Sequence, residues 1–118
     1  MKTILISAVI IMSSTLTSKD KLAGRWETKP SAKGNVTGVV FYKNNTYEGF
    51  VNKKPFVSGK YNLRRNIITI EENGCNGARG VYKIIFFSHS DSLRFEPISD
   101  SCTERREGMT RTILGRIK

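Results

Sequence analysis

The chain has 118 residues, 20 of them Lys or Arg against 10 Asp or Glu, and a formal net charge of +10. That length suits one domain with a modest core, and the charge favours acidic partners over basic ones. With two cysteines, one histidine and no CxxC spacing, the sequence offers no structural metal site, and neither a metal nor a cofactor is expected.

The chain begins with Lys2, an apolar run at 4–12 and small polar residues at 13–18. This is the layout of a secretory signal peptide, and the run is too short to span a bilayer. A buried first strand is the competing reading. We expect residues 1–18 to be a cleaved leader and 19–118 the mature domain, with no transmembrane segment and a secreted or periplasmic destination. Losing Lys2 with the leader leaves a net charge of +9. In an exported chain, Cys75 and Cys102 are expected to form a disulfide.

Beyond the leader the helical period is almost absent, while short alternating runs recur between turn signals. Strands are predicted at 22–28, 36–42, 46–51, 56–63, 67–72, 81–87, 93–97 and 110–117, with little else. A tight turn at Arg65-Asn66 pairs Leu63 with Ile68 and Tyr61 with Ile70 on an inward face. Tyr82, Ile84 and Phe86 face inward on the sixth strand, as do Leu93 and Phe95 on the seventh. Phe41 and Tyr42 point opposite ways, and the turn at Asn44-Asn45 decides which is inside.

The connections alternate in length. Those at 43–45, 65–66 and 88–92 are short, and those at 29–35, 73–80 and 98–109 are long and polar. In an up-and-down meander this gathers the long loops at one rim, together with Cys75 and Cys102. The predicted fold class is all-β, an eight-stranded antiparallel up-and-down barrel, because closure also removes exposed edges.

Gly24-Arg25-Trp26, a G-x-W at the start of the first strand, resembles the lipocalin and wider calycin pattern. "NNTYEG", "GKYNL", "NIITI" and "LRFEPISDSC" look like the small secreted lipocalin-like domains of bacteria. The resemblance implies that Trp26 plugs the closed end with Arg116 packed across it, and that Gly24 lets the backbone pass close by. Strand direction agrees, since the first strand rises from the tight end and the last returns to it; Arg111 is the fallback partner. The chain departs from ordinary lipocalins in the "SHSDS" turn, which lacks a Thr-Asp-Tyr-type motif, and in having no helix expected after the last strand. Avidins resemble the same plan, but their biotin pocket uses several tryptophans and this chain has one, so biotin is not expected.

Catalysis is not expected. Ser88, His89, Ser90 and Asp91 crowd one short turn, where neighbours do not adopt triad geometry. Glu71, Glu72, Asp100 and Glu104 near the open rim are read as partners of Arg79, Arg105 and Arg106, and no P-loop, HExxH or G-x-S-x-G occurs. Nucleic acid is not an expected partner, because the aromatics alternate inward, away from the basic positions. The sequons at Asn35 and Asn44 matter only in a eukaryotic source and otherwise read as turn residues.

Two functions fit this pattern. One is a secreted binding protein holding a small apolar or amphipathic ligand against Tyr61, Ile70, Tyr82, Ile84 and Phe95. Lys54 and Arg79, with Lys53 and Arg105, would then favour an anionic headgroup at the mouth. The alternative is a protein-binding barrel, such as an inhibitor of a secreted protease or other hydrolase, with its interior filled by its own side chains.

Overall fold

The structure is a computed structural model and describes residues 18–118. The expected leader therefore lies, but for Ser18, outside the described residues. Eight strands close into a barrel in sequence order: β1 (Gly24–Glu27), β2 (Thr37–Phe41), β3 (Thr46–Val51), β4 (Lys54–Arg64), β5 (Ile67–Glu72), β6 (Arg79–Phe87), β7 (Ser92–Asp100) and β8 (Ile113–Ile117). Every neighbouring pair is antiparallel, and β8 returns to pair with β1. A short helix, α1 (Ser18–Leu22), precedes the barrel; a second, α2 (Thr103–Arg111), lies between β7 and β8. No helix among the described residues is long and apolar enough to cross a membrane.

Alternation puts the core where the sequence places it. Tyr61 pairs with Ile70 and Leu63 with Ile68, around a turn in which Arg65 takes a left-handed φ of 58°. Between β2 and β3, Asn45 takes the left-handed φ of 71° that an asparagine tolerates, and its N–H donates to the Tyr42 carbonyl. That turn sets Phe41 opposite Tyr47 on the inner face and leaves Tyr42 outside. Tyr82, Ile84, Leu93 and Phe95 complete the buried wall.

Of the boundaries that differ from the sequence reading, four have a plain physical reason. The first strand does not include Leu22, which ends α1 and is fully buried; Gly24 at φ 123° makes the bend between them, a conformation that side chains resist. The fourth strand starts earlier, because Asn52 and Lys53 both take positive φ and make a two-residue hairpin turn, so the β3 and β4 ladder reaches Val51 and Lys54. The seventh strand continues past Pro97 to Asp100. Both Pro55 and Pro97 are followed by a bulge, since proline cannot donate to the ladder, and Phe56 and Ile98 are the bulged residues left unpaired and exposed. The last strand is shorter, because residues 103–111 form α2 instead of a loop. That helix has no apolar stripe and buries Arg105, so the hydrophobic period gave no sign of it.

The end of the barrel that carries the short β2–β3, β4–β5 and β6–β7 turns is sealed around Trp26. The indole is fully buried, and its N–H donates to the Leu22 carbonyl at 2.8 Å. Arg116 stands opposite Trp26 in the β1–β8 ladder, with its guanidinium 4.3 Å from the indole centroid. The same guanidinium donates to the carbonyls of Lys21, Ala23 and Ser90 and pairs with Asp91 at 3.5 Å. One side chain thus ties α1, β1, β8 and the β6–β7 turn together at the base. Trp26→Ala should lower stability by about 3–5 kcal/mol, the usual range for a buried large aromatic. Urea denaturation checks this; a variant as stable as the parent would show that the indole does not seal the base.

Candidate functional site

The opposite end is not filled. A cleft of about 920 Å³ runs from the barrel interior to the long loops. Its apolar wall is made by Val39, Phe41, Val57, Ile70, Phe95 and Leu114, inward positions of β2, β4, β5, β7 and β8. Gly74, Cys75, Asn76, Ala78 and α2 form its rim, and Phe56, 61% exposed, stands beside them. The cleft exists because α2 spans the β7–β8 connection above the lumen, while the large side chains Leu22, Trp26, Ile68 and Leu93 fill the other half.

α2 is held mainly by a charge, with Met109 its one apolar side chain against the core. Arg105 points inward with its side chain 5% exposed, against an Asp100 side chain that is 0% exposed. Its Nε donates to Asp100 Oδ2 at 2.8 Å, and its Nη2 donates to Asp100 Oδ1 at 2.8 Å and to the Ala78 carbonyl at 2.9 Å. This two-point fork is the strong form of a carboxylate pair. Asp100 also accepts the Tyr82 hydroxyl and the Cys102 N–H. The carboxylate needs close neighbours, and Gly80 leaves room for it: a Cβ there would sit 2.6 Å from Asp100 Oδ2. Glu72 completes the group, accepting the Tyr47 hydroxyl at 2.8 Å and lying 3.9 Å from Arg105 Nη1.

The disulfide fastens the same region. Cys75, in a 3₁₀ turn at Asn73–Cys75, is bonded to Cys102 at the start of α2, with Cα atoms 6.1 Å apart across a separation of 27 residues. Both cysteines lie on the long-loop rim, as the alternation of loop lengths requires. Closing a loop of this size contributes about 3–4 kcal/mol by restricting the unfolded chain.

The residues singled out from sequence divide between the two ends. Ile70 and Phe95 line the cleft. Tyr61, Tyr82 and Ile84 are buried in the packed wall instead, and both phenols are already engaged, Tyr61 with the Tyr42 carbonyl and Tyr82 with Asp100. Lys54 and Arg79 are exposed and outside the cleft lining; Arg79 pairs with Glu71 at 2.5 Å. Gly24, Trp26 and Arg116 are at the base, and Arg111 is the exposed last residue of α2. In the Ser88–Asp91 turn, Ser88, His89 and Ser90 all take positive φ, and Asp91 is engaged by Arg116 and Lys118. Among the described residues no group of His, Cys, Asp or Glu is placed to hold a metal ion.

Sequence reasoning placed Arg105 with Glu72 and Asp100 at the open rim but missed that Arg105 is buried there, and it missed the lining role of Val39, Val57 and Leu114. The spacing of Asp100, Cys102 and Arg105 around the start of a polar segment was the available signal, because an Asp that caps Cys102 N–H and grips Arg105 fixes one turn of helix. Compared with known protein families and with curated proteins, the chain matches none.

The electrostatics follow from burial and pairing. Burial pushes the Tyr47 and Tyr82 hydroxyls up, and their bonds to Glu72 and Asp100 push them further, so both stay protonated as donors. Burial by itself raises the Asp100 carboxyl, but the bonds from Arg105, Tyr82 and Cys102 N–H outweigh it and hold the group at about 2, below its ordinary 3.8. The folded form is therefore the stronger acid. Ionised Asp100 contributes about 2 kcal/mol above about pH 4, and this is lost as pH falls from about 4 towards 2. At neutral pH, Asp100→Asn should cost about 3–5 kcal/mol, since it leaves Arg105 buried without its counter-charge. In urea titrations the gap between variant and parent should narrow on acidification through that window. A gap independent of pH would show that Asp100 is not ionised in the fold.

Proposed function

We propose that this chain is a secreted, non-catalytic, lipocalin-like binding protein that carries a small apolar or amphipathic molecule in its barrel. The observation that carries the reading is the half-hollow interior. An eight-stranded barrel is wide enough either to be filled by its own side chains or to hold one small ligand, and here a cleft of about 920 Å³, apolar on its barrel side and polar at its rim, opens at one end. Small-molecule sites are typically about 300–1,000 Å³, largely apolar, with a few polar groups converging on them. The group around Arg105 supplies those polar groups. Secretion is supported by the leader-like run at 4–12 and by the Cys75–Cys102 bond. The G-x-W at Gly24–Trp26 and the stacked Arg116 support the lipocalin-like assignment. The inhibitor reading calls for a filled interior, and the cleft favours the carrier.

The uncharged dye N-phenyl-1-naphthylamine tests this. Its fluorescence should rise saturably at one site per chain. Val39→Trp, which fills the cleft from β2, should weaken that binding by at least about tenfold with the circular dichroism spectrum unchanged. No saturable signal from the folded parent would remove the carrier reading.

A further inference from the structure

The cleft's only buried polar atom among the described side chains without a hydrogen-bond partner is Arg105 Nη1. The other guanidinium nitrogens are engaged: Nε by Asp100, Nη2 by Asp100 and the Ala78 carbonyl. Glu72 Oε1 lies 3.9 Å from Nη1, an ion-pair distance but too long for a hydrogen bond. Its other oxygen, Oε2, accepts the Tyr47 hydroxyl. Arg105 and Glu72 both line the cleft, so a strong donor and a charged acceptor stand side by side at the polar end of an apolar chamber. Leaving such a buried donor unmatched costs about 1–3 kcal/mol, more when it is charged.

Taking the carrier reading as its basis, we propose that the ligand's polar end is an uncharged group carrying both a donor and an acceptor, of the primary amide or alcohol class. It accepts from Arg105 Nη1 and donates to Glu72 Oε1. Charge decides against the alternatives. Glu72 and Glu104 line the cleft together with Arg105 and Arg111, and the buried positive charge of Arg105 is already matched by Asp100 behind the lining. A carboxylate would satisfy Nη1 but bring a second anion against Glu72. An ammonium would satisfy Glu72 but offer nothing to Nη1 and repel the guanidinium. A neutral donor–acceptor group satisfies both and leaves the net charge as it is. Of the four cations that suggest an anionic headgroup from sequence, Arg105 lines the cleft and is matched by Asp100, whereas Lys53, Lys54 and Arg79 lie outside the lining.

The test uses the full folded chain and four probes with one tail: octanamide, octan-1-ol, octanoate and octylammonium, each displacing N-phenyl-1-naphthylamine at neutral pH. Octanamide and octan-1-ol should displace the dye at concentrations at least about tenfold lower than the two ions. Glu72→Gln removes the repelling charge but leaves one acceptor oxygen where the Tyr47 hydroxyl and the ligand together use two. It should tighten octanoate about tenfold and weaken octanamide, so that the preference for the neutral probe is lost. If all four probes compete equally and Glu72→Gln changes none, the headgroup is not read and this inference fails while the carrier reading stands. Octanoate binding tightest to the parent would overturn it in favour of an anion site. If neither dye nor probe binds, the carrier reading fails and this inference with it.

Discussion

The guanidinium of Arg116 over the indole of Trp26 is the contact on which the polarity of this barrel depends. A closed eight-stranded sheet has two equivalent-looking ends, and only side chains decide which is sealed. Here the first and last strands meet at Trp26 and Arg116. Arg116 reaches from there to α1 and to the β6–β7 turn, donating to three backbone carbonyls. The base becomes a packed wall of Leu22, Trp26, Ile68 and Leu93. Whatever space remains inside must then open at the other rim.

At that other rim the ordering principle changes from apolar packing to charge. α2 carries little apolar surface to dock by burial, Met109 being the one apolar side chain of TERREGMTR packed against the core. The forked bond from Arg105 to Asp100, with the Cys75–Cys102 bridge beside it, fixes the helix without filling the lumen beneath. A helix docked through leucines would have pushed them into the chamber. The same arrangement that anchors the rim therefore preserves the cleft and places Glu72 and Arg105 at its polar end.

Much of this was legible in the residues. Alternation gave the barrel, the Tyr61–Ile70 and Leu63–Ile68 pairs and the inward face of β6 and β7, because a half-buried strand writes its face with period two. Loop parity put Cys75 and Cys102 at one rim. What was not legible has a common cause. α2 has no hydrophobic period, the bulges after Pro55 and Pro97 shift register without changing composition, and the pairing of Arg105 with the rim carboxylates, though read from sequence, gives no sign that the pair is buried. The candidate ligand residues suffered in the same way. An inward direction is encoded locally, but whether an inward side chain lines a space or packs solidly depends on what stands across the barrel. Tyr61 and Tyr82 are inward and fully engaged, whereas Ile70 and Phe95 border the cleft.

The central claim is that one end of the barrel is solid and the other is hollow and apolar. Crystals pressurised with xenon test it directly, because xenon occupies apolar space without needing any particular ligand chemistry. The expected result is xenon bound between Val57, Ile70 and Phe95, with none around Trp26. Xenon beside Trp26, or an interior that takes up none, would contradict it.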